Sequence, residues 1–398
     1  MRAELRVLAL IDHLALGGAE MLLGQFAAAA PAAGIQLSVA CLGERNGNPA
    51  AETLRAAGIE PVVLDAPERL GVRALLAVRS HVAEVRPDIV HTHLGSSGLL
   101  GSLAARSLGI PAVVSEHTMA WGRDARTRAR LKLGALAQRR GAARIITVSE
   151  AARRAYLAEG WNAPDRVVAI HNGIDVVPAR GKGAAVRREL GLEGDALVLG
   201  MFSGLRPEKG HDVAVGAVEM LRARFPKLRL MIAGDGPLRA DVSRLAEPLG
   251  DAVVMTGPRF DVMRLLDATD LCLQPSRADA FPTSVLEAMA ASVPVVATAV
   301  GGIPEIVVHD ETGVLIPAPP TGELLADAVA ALLADPKRRR DLADAGLRRY
   351  EELFTARPWV RRIRALYDTV LAEARAGPSE AEGRPALPAV LRGTERNE

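Results

Sequence analysis

Cysteine, net charge and long apolar runs are all scarce in this sequence of 398 residues. The two cysteines, Cys41 and Cys272, lie far apart in different apolar runs, which argues against disulfides and a cysteine-based metal site and fits a reducing compartment. A net charge of +2 provides no general attraction to nucleic acid or membrane. The most apolar window, residues 288–304, is broken by a serine, a proline and a glycine pair, so it does not resemble a membrane span.

A secretory signal is also missing from the N-terminal segment MRAELRVLALID. This segment has a charged start and the pattern of a buried strand, and it is too short and too polar for a signal peptide. We therefore expect a cytoplasmic protein.

Strand and helix patterns alternate along most of the chain, in two blocks. The length calls for two domains. The first block covers residues 4–170 and the second covers 197–334, where we expect its last helix to close the domain. This alternation with short connections predicts α/β domains with parallel, doubly wound sheets. A linker rich in glycine, proline and charge at 171–190 separates the predicted domains, 1–178 and 190–355.

The C-terminal part of the chain has two characters. Residues 358–375 have the pattern of one more amphipathic helix. The tail from residue 376 to 398 lacks periodicity and is predicted to be disordered.

The stretch from Ser276 to Val308 has the most informative pattern. It places two carboxylates, Asp279 and Glu287, on either side of a Phe-Pro turn that opens a helix at about Ser284. Free N–H groups and the positive dipole end at such a helix start suit an anion. With one carboxylate before the helix and one in its first turn, we interpret the stretch as the donor pocket of an enzyme that handles a sugar nucleotide.

Glu287 also has a structural interpretation. The segment Ser284-Val285-Leu286-Glu287 has the form of a capping box, in which the glutamate caps its own helix. Asp279 has no such alternative beyond ordinary loop solvation. Both interpretations of Glu287 are open at this point.

A second charged motif, GLRPEKG, lies between a strand and a helix of the second block. Its cations, Arg206 and Lys209, are placed to bind two phosphates and to neutralise charge as a diphosphate leaves. The alternative is a solvated basic loop. It is not a Walker loop, because no serine or threonine follows Lys209 and the glycine spacing differs.

The first strand and first helix are joined by Gly17-Gly18-Ala19-Glu20. Glycines there either let a ligand approach the backbone closely or simply make the turn. The spacing is not the dinucleotide fingerprint, so binding of NAD is disfavoured.

Three histidines lie on or at the ends of first-block strands. His93 and His117 each end a strand, at the edge of the sheet where ligands bind, although a lone histidine is more often structural. His91 and His93 share a strand face, but no third ligand follows at suitable spacing. We therefore predict no metal site.

A basic segment covers residues 121–144 and includes Arg144 at its end. Two interpretations are open: contact with an anionic membrane or acceptor, and a solvated helix face. Trp121 is its only aromatic residue, so the interleaving typical of nucleic-acid binding is missing and we expect no nucleic-acid partner.

Together these motifs resemble glycosyltransferase family 4, the retaining enzymes of GT-B fold, over about residues 5–375. The most specific matches are GLRPEKG, IAGDGP at 232–237 and the stretch from Ser276, which is similar to the E-x7-E region of the family. TVSEAARRAY at 147–156 and IHNGID at 170–175 also match. The resemblance implies two Rossmann-like domains facing across a cleft, the first for the acceptor and the second for the sugar nucleotide, with a crossover helix at 356–375 that returns to the first domain.

The resemblance also implies roles for individual residues. Arg206 and Lys209 would bind the donor diphosphate, Glu287 the ribose hydroxyls and Asp279 the hydroxyls of the transferred sugar. His117 would contact the donor sugar near the reacting carbon. The remaining residues implied to contact the donor are Gly17, Gly18, Gly257, Pro258, Arg259, Phe281, Pro282, Thr283 and Val285.

The sequence departs from the family at one pair of positions. The first glutamate of the family is Asp279 here, and the glycine that usually follows it is Ala280. A side chain shorter by one methylene must reach from a shifted backbone or accept a different sugar. The departure therefore bears on the identity of the donor more than on the class of reaction.

The implied reaction is transfer of a hexosyl or N-acetylhexosaminyl group, with retention, from a UDP- or GDP-sugar to a saccharide, lipid-linked or small-molecule hydroxyl. The leaving diphosphate would take the acceptor proton. No Asp-x-Asp motif occurs in the chain, which fits catalysis with no metal and no other cofactor. Two alternatives are kept: a non-catalytic subunit that binds sugar nucleotides, and a sugar-nucleotide epimerase of the same fold.

Overall fold

The chain forms two compact units. The structure, a computed structural model, describes residues 4–45, 47–66, 71–119, 125–192 and 194–376, with side chains from 131 onward in the helix that begins at 125. Unit 1 comprises Met1–Gly173 with Thr355–Glu398, and unit 2 comprises Ile174–Phe354. The predicted disordered tail, apart from its first residue, lies outside the described residues.

Unit 1 is built around a parallel sheet of seven strands in the order β3-β2-β1-β4-β5-β6-β7. Its elements, in chain order, are β1 (Leu5–Ile11), α1 (Gly18–Ala29), β2 (Ile35–Cys41), α2 (Ala51–Ala56), β3 (Val62–Val63), α3 (Val72–Val85), β4 (Ile89–His93), α4 (Gly95–Ser107), β5 (Ala112–Glu116), α5 (Ala125–Gly141), β6 (Ala142–Thr147), α6 (Glu150–Ala158) and β7 (Val167–Ala169). Strands such as LRVLALI are apolar almost throughout because helices cover both faces of a parallel sheet.

Unit 2 repeats this plan with six parallel strands in the order β10-β9-β8-β11-β12-β13. Its elements are α7 (Gly183–Glu189), β8 (Leu197–Phe202), α8 (His211–Leu221), β9 (Leu228–Ala233), α9 (Arg239–Ala246), β10 (Val253–Gly257), α10 (Val262–Leu266), β11 (Leu271–Gln274), α11 (Thr283–Ala290), β12 (Val295–Thr298), α12 (Ile303–Ile306), β13 (Val314–Ile316), α13 (Gly322–Ala334) and α14 (Pro336–Leu353). The predicted class, two Rossmann-like doubly wound α/β domains, is confirmed.

The prediction that the helix ending at residue 334 is the last helix of unit 2 is wrong. Helix α13 does not close the unit, because α14 follows it directly at Pro336. Proline is tolerated at the first position of a helix, where no amide hydrogen bond is lost. Asp335 caps the new helix, its carboxylate accepting from the Arg338 amide at 2.9 Å. The Asp-Pro pair therefore starts a helix rather than ending the domain.

The last helix among the described residues, α15 (Ala356–Ala376), belongs to unit 1 and packs on its N-terminal part. Its Tyr367 hydroxyl lies 2.5 Å from His91 Nδ1 on β4, with both side chains fully buried. Arg364 donates to the carbonyl of Gly34, and Glu373 forms an ion pair with Arg144 of β6. The apolar face of α15 thus completes a core whose other walls come from the beginning of the chain.

Replacing Tyr367 with phenylalanine is expected to lower the free energy of unfolding by about 1–3 kcal/mol, because it leaves a buried imidazole nitrogen of His91 without its partner. The measurement is urea unfolding followed by circular dichroism. Thr369→Val is the control, since the hydrogen bond of that hydroxyl goes to the Ala365 carbonyl of the same helix. Equal unfolding midpoints for the two variants would contradict this role of Tyr367.

Candidate functional site

The candidate site of unit 2 lies where the strand order reverses. Strands β8 and β11 are neighbours, and the next strand along the chain after β8 pairs on its other side. In sheets of this type the carboxyl ends of the two strands at the switch point border a ligand-binding crevice. The loop after β8 carries Arg206 and Lys209, and the loop after β11 carries Asp279.

These two loops are packed against each other. The Arg277 amide donates to the Glu208 carbonyl at 2.7 Å, and the Arg277 guanidinium forms a two-pronged ion pair with Asp212 at the start of α8. A Cβ atom on Gly210 would lie 2.0 Å from the Pro275 carbonyl oxygen. The main chains therefore approach as closely as a glycine allows.

The two predicted phosphate ligands have different environments. Arg206 is exposed, and its side chain has no ion pair or hydrogen bond within the part of the chain that the structure describes. Lys209 is partly buried, and its Nζ lies 2.7 Å from Asp279 Oδ2. A solvated basic loop accounts for Arg206 alone but not for Lys209, which points at the carboxylate of the neighbouring loop.

Asp279 is held on both its main chain and its side chain. Its Oδ2 accepts from Lys209 Nζ, from Gln274 Nε2 at 3.0 Å and from Ser276 Oγ at 3.2 Å. Its carbonyl accepts from the Gly302 amide at 3.1 Å. The side chain is only 9% exposed, so the carboxylate is ordered before any ligand binds. Gln274 and Ser276 were not predicted as site residues.

The capping-box interpretation of Glu287 is wrong. Pro282 is the N-cap of α11, and Ser284 lies inside the helix, where its hydroxyl donates to Gln274 Oε1 at 3.0 Å. Because the helix begins one residue earlier than predicted, Glu287 is its fifth residue. It lies in the second turn, not in the first turn as predicted.

Glu287 is a partly buried carboxyl beside Cys272 of β11. Burial raises the pKa of Glu287 to about 7. Burial, and then the charge of Glu287, raise the pKa of the Cys272 thiol to about 12. A carboxyl that is half-protonated near neutral pH is able both to accept and to donate hydrogen bonds.

This pKa makes stability depend on pH. The pKa of Glu287 in the folded protein is above the ordinary 4.5, so its contribution to the free energy of unfolding is fully present below pH about 4.5. This contribution is lost as pH rises through about 7 and Glu287 ionises in the folded protein, a change of about 3 kcal/mol in total. Glu287→Gln is therefore expected to unfold at a higher temperature than the wild type at pH 8, with the difference shrinking towards pH 4.5. Thermal unfolding across this range is the measurement, with the exposed Glu219→Gln as control. A constant difference would contradict the assignment.

Side chains around α11 point mainly into unit 2. Val285 is fully buried, and Phe281 packs edge-on against Phe354 at 5.8 Å between ring centroids. Pro282 is also buried, whereas Thr283 is partly exposed. A ligand at this helix start would therefore meet main-chain atoms and Thr283 rather than the apolar side chains.

The segment Gly257-Pro258-Arg259 lies at the end of β10, two strands from β8. The Arg259 guanidinium is occupied within the protein by Asp261 at 2.7 and 2.8 Å and by Glu189 at 2.6 Å, which raise its pKa. Gly257 adopts a positive φ of 75°, and its carbonyl accepts from the Gly234 amide. Contact of Arg259 with the donor remains a prediction, and the geometry favours contact through the main chain here.

Unit 1 has an equivalent switch point, between β1 and β4. Gly17 is the N-cap of α1, and a Cβ there would lie 2.4 Å from an oxygen of the buried Glu20. A Cβ on Gly18 would meet nothing within 4 Å. A Cβ on Gly17 would therefore displace the carboxylate end of the Glu20 side chain, whereas Gly18 borders open space at a helix start.

The three histidines divide into two kinds. His91 has both ring nitrogens occupied, by Tyr367 and by Ser115 Oγ at 2.8 Å, so it is structural. His93 Nδ1 lies 3.1 Å from His117 Nε2, and the two rings stack at 5.4 Å. Burial lowers the pKa of His117 to about 4 and that of His93 well below its usual value, so both are neutral at pH 7. Within the described ranges no group of three or more histidine, cysteine or acidic residues is placed to hold a metal ion.

The basic segment is only partly described. Residues 121–124, and the side chains of 125–130, lie outside the described residues. Lys132, Arg139 and Arg140 are exposed on α5. The inclusion of Arg144 in the basic segment is wrong. Arg144 is 5% exposed and forms an ion pair with Glu373, so it contributes nothing to a basic surface. Of the helices that the structure describes, none combines the length and the apolar character needed to cross a membrane.

Two doubly wound units, each with loops gathered at its own switch point, define the GT-B class of glycosyltransferase folds. HepE from Anabaena, solved in complex with UDP and glucose, superposes with a TM-score of 0.80 at 22% identity, covering 92% of this chain and 99% of that one. Sucrose-phosphate synthase from Thermosynechococcus elongatus gives 0.77 at 23% identity, with 92% and 99% covered.

The particular family follows from sequence. The family model described as Glycosyltransferase Family 4 matches residues 16–177, and that described as Glycosyl transferases group 1 matches residues 184–349. The chain belongs to glycosyltransferase family 4, and the resemblance found in its motifs is confirmed.

Curated relatives of this chain include several named D-inositol 3-phosphate glycosyltransferase. The one from Saccharomonospora viridis is 33% identical over 71% of this chain and 69% of its own length. The one from Stackebrandtia nassauensis is 35% identical over 65% of this chain, and the chain spans only 63% of that relative.

Proposed function

We propose that unit 2 binds a UDP- or GDP-sugar and that the protein transfers its hexosyl or N-acetylhexosaminyl group to an acceptor hydroxyl with retention, without a metal ion. The observation that carries the proposal is the position of Lys209 and Asp279, 2.7 Å apart at the switch point of the sheet, with Arg206, which has no ion pair among the described residues, in the same loop as Lys209. A cation pair and a fixed carboxylate suit a ligand that has a diphosphate at one end and sugar hydroxyls at the other.

In this proposal the work of the protein is electrostatic. Arg206 and Lys209 disperse the charge that develops on the diphosphate as the glycosidic bond breaks, and the amides at the start of α11 face the same anion. Lys209 exchanges part of its contact with Asp279 for a phosphate oxygen, and Asp279 then accepts from a hydroxyl of the sugar. The acceptor attacks from the side of the departing diphosphate, which takes the acceptor proton.

Glu287 and His117 have supporting roles in the proposal. Glu287, with its pKa near 7, would hydrogen-bond the ribose hydroxyls. His117 is neutral at pH 7 and would donate or accept a hydrogen bond without adding charge near the reacting carbon. Unit 1 would bind the acceptor. The names of the curated relatives favour a phosphorylated polyol among the saccharide, lipid-linked and small-molecule acceptors.

A thermal-shift panel tests donor binding, because a ligand that binds only the folded state raises the melting temperature. The probes are UDP, GDP, UDP-glucose, UDP-N-acetylglucosamine and GDP-mannose. We expect one base to stabilise in both its free and its sugar-linked form. Incubation of that donor with an acceptor panel should then give a product whose anomeric configuration, read by NMR, matches the donor.

The outcomes separate the alternatives. Binding without transfer or slow hydrolysis would indicate a non-catalytic subunit, and an isomerised donor without acceptor would indicate an epimerase. If no nucleotide sugar binds or is consumed, the proposed function is wrong.

A further inference from the structure

Gln274 is a fully buried polar residue at the last position of the apolar strand β11. Its side chain connects three elements of the site. Nε2 lies 2.9 Å from Ser276 Oγ and 3.0 Å from Asp279 Oδ2, and Oε1 accepts from Ser284 of α11 at 3.0 Å. Every hydrogen-bonding atom of the buried amide is therefore engaged.

The direction of these hydrogen bonds is fixed by the carboxylate. Ionised Asp279 only accepts, so the single hydroxyl hydrogen of Ser276 goes to Asp279 Oδ2, and Ser276 must accept from Gln274. The opposite amide orientation would place an oxygen of Gln274 against the carboxylate. The chain of donors therefore runs from α11 through the end of β11 to one oxygen of Asp279.

All of these contacts converge on Oδ2, together with Lys209 Nζ. Among the described residues Oδ1 has no hydrogen-bond partner. If a diphosphate draws Lys209 away, Oδ2 keeps both Gln274 and Ser276. The position and rotation of the carboxylate are then maintained without the lysine.

We propose that Gln274 is a positioning residue for sugar recognition: it fixes the Asp279 carboxylate through Oδ2 so that Oδ1 is presented to a hydroxyl of the transferred sugar. The inference rests on the proposed function and deepens it. Gln274 contacts neither phosphate nor base in this assignment, so replacing it should weaken only the binding contributed by the sugar. A purely structural role, tying β11 to α11 through Ser284, would instead affect all ligands alike.

Two substitutions of Gln274 distinguish these roles. Gln274→Met keeps the approximate volume and removes every hydrogen bond. Gln274→Glu keeps the acceptor for Ser284 but replaces the donors towards Asp279 with a second carboxylate. Ser284→Ala removes only the tie to α11. Thr298→Val is the control, because Thr298 is a fully buried residue at the end of neighbouring strand β12 whose hydroxyl has no hydrogen-bond partner among the described residues.

Dissociation constants are measured by calorimetry for each variant with two ligands. The first is the free nucleotide, UDP or GDP, and the second is the nucleotide sugar with the same base, taken from UDP-glucose, UDP-N-acetylglucosamine and GDP-mannose. We expect both Gln274 variants to bind the free nucleotide within about twofold of wild type but the nucleotide sugar at least about tenfold more weakly, the effect of losing a hydrogen bond to a charged group. Ser284→Ala and Thr298→Val should keep the preference for the sugar.

Failure of this inference is separable from failure of the proposed function. If wild type binds no member of the panel, the proposed function is wrong, and the inference, which rests on it, is wrong as well. If wild type prefers a nucleotide sugar and both Gln274 variants keep that preference, or lose free nucleotide and nucleotide sugar equally, the proposed function stands and the positioning role is wrong.

Discussion

Replacing Arg206 and Lys209 together with alanine is expected to reduce the rate of glycosyl transfer by about a thousandfold or more, because the diphosphate would leave without the cations that disperse its charge. Arg206 is exposed and Lys209 is partly buried, so neither side chain belongs to the hydrophobic core of unit 2. The fold should persist, with a lower free energy of unfolding because Asp279 loses its ion pair with Lys209. Steady-state transfer kinetics and thermal unfolding of the same preparation test both statements.

The single variants separate two effects. Arg206→Ala removes a cation whose side chain forms no hydrogen bond or ion pair with the described residues, whereas Lys209→Ala also deprives Asp279 of an ion pair. Arg244→Ala is the control, since that arginine is 73% exposed on α9 and, among the described residues, forms an ion pair with Asp241 alone. Transfer by the double variant at the wild-type rate would refute the electrostatic account of the site.

Replacing Gly210 with alanine is expected to destroy donor binding and to lower the free energy of unfolding by more than about 2 kcal/mol. Gly210 has a φ of 74°, and an added Cβ would lie 2.0 Å from the Pro275 carbonyl oxygen. Neither atom of that clash is the end of a flexible side chain. The loops after β8 and β11 must then separate, and the contact between Lys209 and Asp279 is lost with them.

Gly216 provides a matched control within α8. A Cβ there would meet nothing within 4 Å, and alanine favours a helix interior over glycine by about 1 kcal/mol. Gly216→Ala should therefore be neutral or stabilising in urea unfolding, with donor binding retained in calorimetry. Wild-type stability and binding in Gly210→Ala would show that the close approach of the two loops is not required.

Sequence patterns predicted the two sheets because buried parallel strands are apolar throughout and lie between long amphipathic helices. The errors occurred where one local signal has two meanings. The helix ending at residue 334 was expected to close the domain, although the proline at 336 is a residue type that is favoured at a helix start. Ser284 matched a capping box, but Pro282 already starts the helix, and the serine hydroxyl instead meets Gln274.

Parts of the site could not be predicted because they depend on long-range contacts. Arg144 belongs to a basic run in sequence, yet it is buried beside Glu373, 229 positions away. Gln274 left one signal, a polar residue that ends the otherwise apolar strand LCLQ immediately before a site loop. Its partner Ser284 lies ten positions on, in another element, so only the fold brings the two together.

The return of α15 to unit 1 has a consequence for synthesis of the protein. Unit 2 is one continuous piece of chain, whereas unit 1 is assembled from both ends. Chains emerge from the ribosome N-terminus first. Unit 1 therefore cannot complete its core until α15 has been made, and the face around His91 is uncovered until then. The second unit has no such delay. Unit 1 is therefore the first to begin synthesis and the last to complete its fold.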